Sequence, residues 1–254
     1  MFKEENQFWL YMVGIIILMV LSYFIVAGYQ FPFVGFLIDE NSKVYEYDRA
    51  PSMQLVAGKD YRAKIYTNKG VIELDLYEKN APLAVNNFVF LSNAGYYDGV
   101  SFHRVVNDFL IQTGSRTTLD KDPDNDGLGG PGYVFDDEIN WSSLGLNSTQ
   151  IKNLQDAGYS NDTGVTSRRL EKYSIAMANA GPDTNGSQFF VITAANSDMR
   201  LDQLQGRHTV FATVIGGQNV VEVIDSAQVQ NSADDSISRP IGDYYIERIE
   251  IVSL

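Results

Sequence analysis

The sequence predicts a mainly β protein: a closed antiparallel barrel with helices over its ends, preceded by one membrane-spanning helix. Three observations predict it. Short runs from Tyr61 onward alternate apolar and polar residues, the two-residue period of half-buried strands. Two stretches among them carry the start and stop signals of helices. Ahead of both, Phe8 to Gly28 is 21 residues long and holds no charged side chain.

That first stretch, "FWLYMVGIIILMVLSYFIVAG", would span roughly 30 Å as a helix, the thickness of a bilayer core. Trp9, Tyr11, Tyr23 and Tyr29 lie toward its ends, where interfacial aromatics gather. The rival readings are a cleaved signal peptide, whose apolar region is normally shorter, and a buried soluble helix. Counting Lys and Arg near the span makes the short N-terminal side cytoplasmic and the large domain extracytoplasmic. Residues 1–29 are thus read as the anchor, 30–60 as a juxtamembrane connector without a clear period, and 61–254 as the folded domain.

Within that domain "YRAKIYT" and "GVIELDLY" read as a strand pair, with Ile72, Leu74 and Leu76 set against Glu73 and Asp75. Gly70 ends the intervening "TNKG", where a tight hairpin needs a positive φ. "APLAVNNFVFLSNAG" reads as a helix, with Pro82 in its first turn, Gly95 at its C-terminal cap, and Leu83, Phe88 and Leu91 on one apolar side. Strand candidates follow at 99–106, 109–113, 173–178, 188–193 and 208–215. "GQNVVEVIDSAQ" is a second short helix, and "YYIERIEIVSL" a closing strand. Residues 140–170 read as an insertion with one short helix, capped by Asn147 or Ser148 and ending at Gly158.

Composition narrows the chemistry. The chain has 254 residues, no cysteine, two histidines and a net charge of −13. A thiol nucleophile, a disulfide scaffold and a Cys-ligated metal are excluded, and the acidic balance disfavours a nucleic-acid partner. "DPDNDG", Asp122 to Gly127, starts like a calcium loop, but its twelfth position is Tyr133 and not Glu, so the EF-hand pattern fails. No metal and no cofactor are expected.

The blocks "YYDGVSFHRVV", "IQTGS", "GGPGYVFDDE", "SIAMANAGPDTNGSQFFVIT" and "LQGRHTVFATV" resemble, in order, the motifs of cyclophilin-type peptidyl-prolyl cis–trans isomerases, closest to short prokaryotic-style members. The resemblance implies an eight-stranded cyclophilin-like barrel capped by two helices, with a substrate groove on its outer face and a monomeric catalytic domain. It makes Arg104 the catalytic residue. It places Phe109, Leu110 and Phe190 on the apolar floor under the proline ring, and Gln112 and Gln188 on the substrate backbone. Ala178 and Asn179 would form a strand edge that pairs with the peptide, and Leu204 and His208 would line the groove. Two departures stand out. Asn107-Asp108 replaces the usual Pro-Gly, which brings a carboxylate near Arg104. "SDMRLDQLQGRH" is longer than its counterpart and lacks the tryptophan found in many relatives.

The chemistry of the residues agrees with that implication. An X–Pro bond rotates over a barrier near 20 kcal/mol because nitrogen shares its lone pair with the carbonyl. Rotation breaks no bond. A site need only favour the twisted state, in which the lone pair returns to nitrogen and accepts a hydrogen bond. A guanidinium supplies that donor and keeps its charge. The expected partners are proline-containing polypeptides, met at a membrane surface through residues 8–28. The alternative is a non-catalytic proline-peptide binding or chaperone module. His103 is expected to be a structural hydrogen-bonder. Of the adjacent pair Phe189 and Phe190, a strand would point one inward and the other outward, where a phenylalanine calls for a function.

Overall fold

The computed structural model describes residues 45–120, 122–230, 234–235 and 238–254. The membrane span expected over 8–28 lies outside them; among the described residues no helix is long and apolar enough to cross a membrane.

The chain opens as expected with a hairpin, β1 (Tyr61–Thr67) and β2 (Gly70–Leu76). Their alternation puts Ala63, Ile65, Ile72, Leu74 and Leu76 into the core. Gly70 closes the two-residue turn at φ 133°, and a Cβ there would stand 2.7 Å from Val220 Cγ2. Helix α1 (Pro82–Ala94) begins at proline and ends on Gly95 in the left-handed region. Leu83 does not join its buried side: it is exposed, one position off the stripe of Ala84, Phe88 and Leu91. There follow β3 (Arg104–Val106), β4 (Leu110–Thr113), α2 (Ser148–Asp156), β5 (Ser174–Met177), β6 (Phe189–Ile192), α3 (Arg200–Leu204), β7 (Val210–Gly216), α4 (Gln218–Asp225) and β10 (Ile246–Ser253). The short strands β8 (Val229–Gln230) and β9 (Arg239–Pro240) form a ribbon of their own.

Eight strands make one antiparallel sheet in the order β10-β1-β2-β7-β5-β6-β4-β3. The sheet curls without a strand-to-strand ladder between its edges β3 and β10, so the fully closed barrel is corrected to a curled sheet. The reason is length: β3 has only three residues. The segment before it bridges the gap instead, with Gly99, Phe102 and Ile246 donating backbone N–H groups to Ile246, Tyr244 and Val100. Helix α1 packs on β7 and β10, and α4 on β2, β3 and β4.

Residues 45–60 lie against this sheet and helix α1. Tyr45, Tyr47, Ala50 and Leu55 pack on the main core, and the buried Asn86 side chain binds the backbone of Pro51, Ser52 and Gln54. The insertion builds a separate small core from Ile139, Trp141, Leu144, Leu154 and Tyr159. Its helix starts in a capping box between Asn147 and Gln150, which satisfies two otherwise orphaned backbone donors.

Candidate active site

Cross-strand pairing assembles the site. Arg104 on β3 stands opposite Gln112 on β4, Gln112 opposite Phe190 on β6, and Phe190 opposite Ala176 on β5. Directly opposed residues share one face of a sheet, so a cation, an amide and an aromatic ring fall in a row. Phe189, one residue earlier, points the other way into the main core. Phe190 joins a second apolar cluster with Phe109, Leu110, Ala176 and Leu201, against which Ala178 and Leu204 pack. The two phenylalanines therefore lie on opposite faces of the sheet.

Phe109 lies in the turn before β4, not in the strand itself. The turn works without glycine because Asp108 takes the left-handed conformation, φ 56°, which Asp tolerates better than most residues. Buried Asp225 pins it: one carboxylate oxygen accepts from the Asp108 N–H at 3.1 Å and the other from Thr193 Oγ1 at 2.7 Å.

The polar groups form an oriented relay. Arg104 Nη1 donates to Gln112 Oε1 at 2.9 Å. Gln112 Nε2 donates to Gln188 Oε1 at 3.0 Å. Gln188 Nε2 donates to the carbonyls of Gly127 and Gly129 at 2.7 and 2.9 Å. Both amide orientations are set by these end partners. Arg104 Nε donates to the Asp235 carbonyl at 2.6 Å. Burial lowers the Arg104 pKa, and Asp235 and Asp234 oppose that effect. Among the described residues Arg104 forms no ion pair with Asp98 or Asp108. A guanidinium carries five N–H donors, so others remain beyond those held by Gln112 and Asp235.

His208 Nδ1 donates to the Met177 carbonyl at 3.0 Å, and the ring meets Phe190 edge-on at 5.1 Å. Burial lowers its pKa to about 4, so it is neutral at pH 7 and Nδ1 carries the proton toward that carbonyl. Asn179 lies two residues past the end of β5, its Nδ2 donating to the Arg207 carbonyl at 2.8 Å, while the Ala178 N–H donates to the Gln188 carbonyl at 2.9 Å. His103 is buried and lies beside the Ser101 backbone and the Gln188 side chain, with neither ring nitrogen in a hydrogen bond of ordinary geometry. Burial, with the neighbouring Arg104 charge, lowers its pKa to about 4, against the opposing pull of Ser101 and Gln188.

A cleft of about 350 Å³ runs beside Gln112, Gln188, Ala178 and Asn179 and is floored by Gly127–Pro131. A larger cavity of about 810 Å³ lies between Tyr45, Arg116 and Tyr133 and contains none of the site residues. The calcium-like loop is engaged internally. Asp120 and Asp122 accept from the N–H groups of Asp122 and Asp124, and Asp126 pairs with Arg239 at 2.6 Å. No group of three or more His, Asp or Glu among the described residues is arranged to hold a metal.

Sequence reasoning missed Arg200. Its guanidinium lies 4.2 Å from the Phe109 ring centroid, Nη2 donates to the Asp108 carbonyl at 2.9 Å, and Asp198 holds it at 2.7 Å. The only sequence signal was the extra length of "SDMRLDQLQGRH".

A curled eight-stranded antiparallel sheet with a held guanidinium beside a second apolar cluster points to the class of peptidyl-prolyl isomerases. The chain belongs to the cyclophilin family: the model of "Cyclophilin type peptidyl-prolyl cis-trans isomerase/CLD" matches residues 62–251. It is similar to the peptidyl-prolyl cis-trans isomerase CYP18-2 of Arabidopsis thaliana, 35% identical over 198 residues that make up 77% of this chain and 96% of the relative. It is also similar to the peptidyl-prolyl cis-trans isomerase-like 1 of Mus musculus, 38% identical over 71% of this chain and 86% of the relative. Among solved structures, a Cryptosporidium parvum cyclophilin-type isomerase in the presence of the dipeptide Ala-Pro matches with a TM-score of 0.55 at 28% identity, covering 76% of this chain and 99% of that one. The chain is therefore a peptidyl-prolyl cis–trans isomerase.

Proposed function

We propose that Arg104 is the catalytic group of this isomerase and that the protein assists folding at a membrane surface. The observation that carries the first part is the Arg104–Gln112 contact at 2.9 Å, which aims a permanent donor along the edge of the Phe109–Leu110–Phe190 cluster. A bound proline ring rests on that floor, as the ring's contact surface is apolar. The preceding residue lies along Ala178 and Asn179, and Gln112 and Gln188 orient its backbone. As the imide twists, its nitrogen regains the lone pair and accepts a hydrogen bond from Arg104. The apolar neighbours exclude water and strengthen that bond. Leu204 and neutral His208 wall the groove and transfer no proton, because none moves in the reaction.

Support for the membrane part is the uncharged stretch Phe8–Gly28, long enough to cross a bilayer as a helix. The Lys and Arg count favours an extracytoplasmic domain, and the motif blocks favour a prokaryotic-style member. The proline reading is tested by a protease-coupled rotation assay on the full chain and on Arg104→Ala. The variant should lose about 10²–10³-fold in kcat/KM. Equal rates would replace catalysis by a binding module that grips proline without turning it.

A further inference from the structure

The insertion at 140–170 is seated directly behind one wall of the groove. Gly206 shows how closely: a Cβ there would lie 2.7 Å from Leu154 Cδ1 and 2.9 Å from Leu146 Cδ1. Gln205 is clamped at the same place, accepting from the Leu170 N–H at 3.1 Å and donating to the Leu170 carbonyl at 2.8 Å. Arg207 lies over the Tyr159 ring at 5.4 Å. The segment 200–207, which carries the groove residue Leu204 and leads into His208, is therefore held in place by the insertion's own core.

Between the insertion helix α2 and this segment runs a cleft of about 570 Å³, lined by Gln150, Asn153, Asp202, Gln203, Leu204 and Arg207 among others. Leu204 is shared: it lines the cleft and packs against the cluster that holds Phe109, Leu110 and Phe190. The lining is rich in carboxamides. Asn153 and Gln203 are exposed, and Gln150 uses only its Oε1 in the helix cap, which leaves its NH₂ group available. Carboxamides carry both donors and acceptors, the complement of a peptide main chain and of polar side chains.

We propose that this cleft is an extended subsite of the isomerase: a polypeptide leaving the proline pocket past Leu204 continues between α2 and α3 and is read there by Gln150, Asn153 and Gln203. The substrate class is accordingly an extended, polar polypeptide segment around the proline, not an isolated X–Pro dipeptide. The inference rests on the proline-groove reading above and adds the insertion to it.

The test compares three peptides on the full chain: a proline tetrapeptide, and peptides of about 14 residues extended with Ser and Asn on one flank of the proline or on the other. Each residue reaches roughly 3.3–3.6 Å in extended form, so the added length passes Leu204. A few added hydrogen bonds should lower KM about fivefold or more for one of the two extended peptides. Combined Asn153→Ala and Gln203→Ala should remove most of that advantage while tetrapeptide turnover stays as in the parent. Equal KM values for all three peptides on the parent chain, or an advantage that survives the double substitution in full, would overturn the subsite. Calorimetric binding of the same peptides gives the same comparison without turnover. Loss of the groove reading would instead appear as a parent chain that does not accelerate the tetrapeptide.

Discussion

The two faces of the curled sheet bury apolar side chains in different ways. On the inner face Phe88, Tyr97, Phe189 and Phe211 lock edge to face or tilted, with centroids 5.3–5.7 Å apart for the pairs involving Phe88. All four are essentially inaccessible. On the outer face Phe109, Leu110 and Phe190 make a smaller cluster, and charged or polar groups ring it: Arg104 through Gln112, Arg200 over Phe109, His208 against Phe190. Alternation along β6 sends Phe189 to one face and Phe190 to the other, so a single backbone serves both. The inner face has only to exclude water, which any dense packing does. On the proposed reading the outer face leaves donors aimed at a ligand, which needs partners that hold each polar group without using it up.

Breaking the inner face should give the largest effect. Phe211→Ala removes a fully buried ring from the aromatic cluster and should cost about 3–5 kcal/mol of unfolding free energy, measured by denaturant titration, with unchanged kcat/KM per folded molecule. A fall in turnover beyond the folded fraction would mean that the faces are coupled. Arg104→Ala should do the reverse: the activity loss given above, with unfolding free energy shifted by no more than about 1 kcal/mol, since its side chain is held by one amide and one carbonyl.

Glu138 sharpens the comparison, because it is a buried carboxyl with a structural task. Its two oxygens accept from the N–H groups of Leu83 and Ala84, each at 2.9 Å, and so cap α1. Burial nonetheless raises its pKa from 4.5 to about 7, against the opposing pull of those two donors. The folded protein therefore holds this proton more tightly than the unfolded chain. Its contribution to stability is complete below about pH 4.5 and is lost as pH rises through about 7. The parent should lose on the order of 3 kcal/mol over that window relative to Glu138→Gln, read as the difference between their unfolding free energies at each pH. His103 and His208, held near 4 by burial, act with the opposite sign: their contribution is present above about 6.5 and is lost as pH falls through 4. Taking the difference between the two proteins removes that background. Parallel curves would show that Glu138 does not change its ionisation on folding.

The smallest effect belongs to Arg200. Its stacking on Phe109 is at the rim, where such contacts give about 0.5–1 kcal/mol. Arg200→Ala should raise KM for a proline tetrapeptide by about two- to fivefold and leave kcat alone; an unchanged KM would remove Arg200 from the groove wall.

Much of this molecule was legible before folding. Alternation located β1, β2 and β10 because a half-buried strand writes a period of two into the chain. Gly70, Pro82, Gly95 and Asn147 marked turns and caps because each answers a local backbone demand. The motif blocks identified Arg104, Gln112, Phe190 and His208 as one constellation, and the sheet register then placed Arg104 opposite Gln112. Phe109 was placed one element late: a turn residue and a strand residue look alike when both are apolar, and only the left-handed Asp108 separates them. What tertiary structure alone decided is the set of contacts between residues far apart in the chain. Arg200 meets Asp108 at 92 positions' separation, Glu138 caps a helix 54–55 positions back, and Arg104 reaches a carbonyl 131 positions on. None of these leaves a period or a local signal in the sequence, because each depends on where loops return after the sheet has curled. The short β3 left the sheet open for the same reason: pairing between first and last edge strands is settled by the curvature of everything between them.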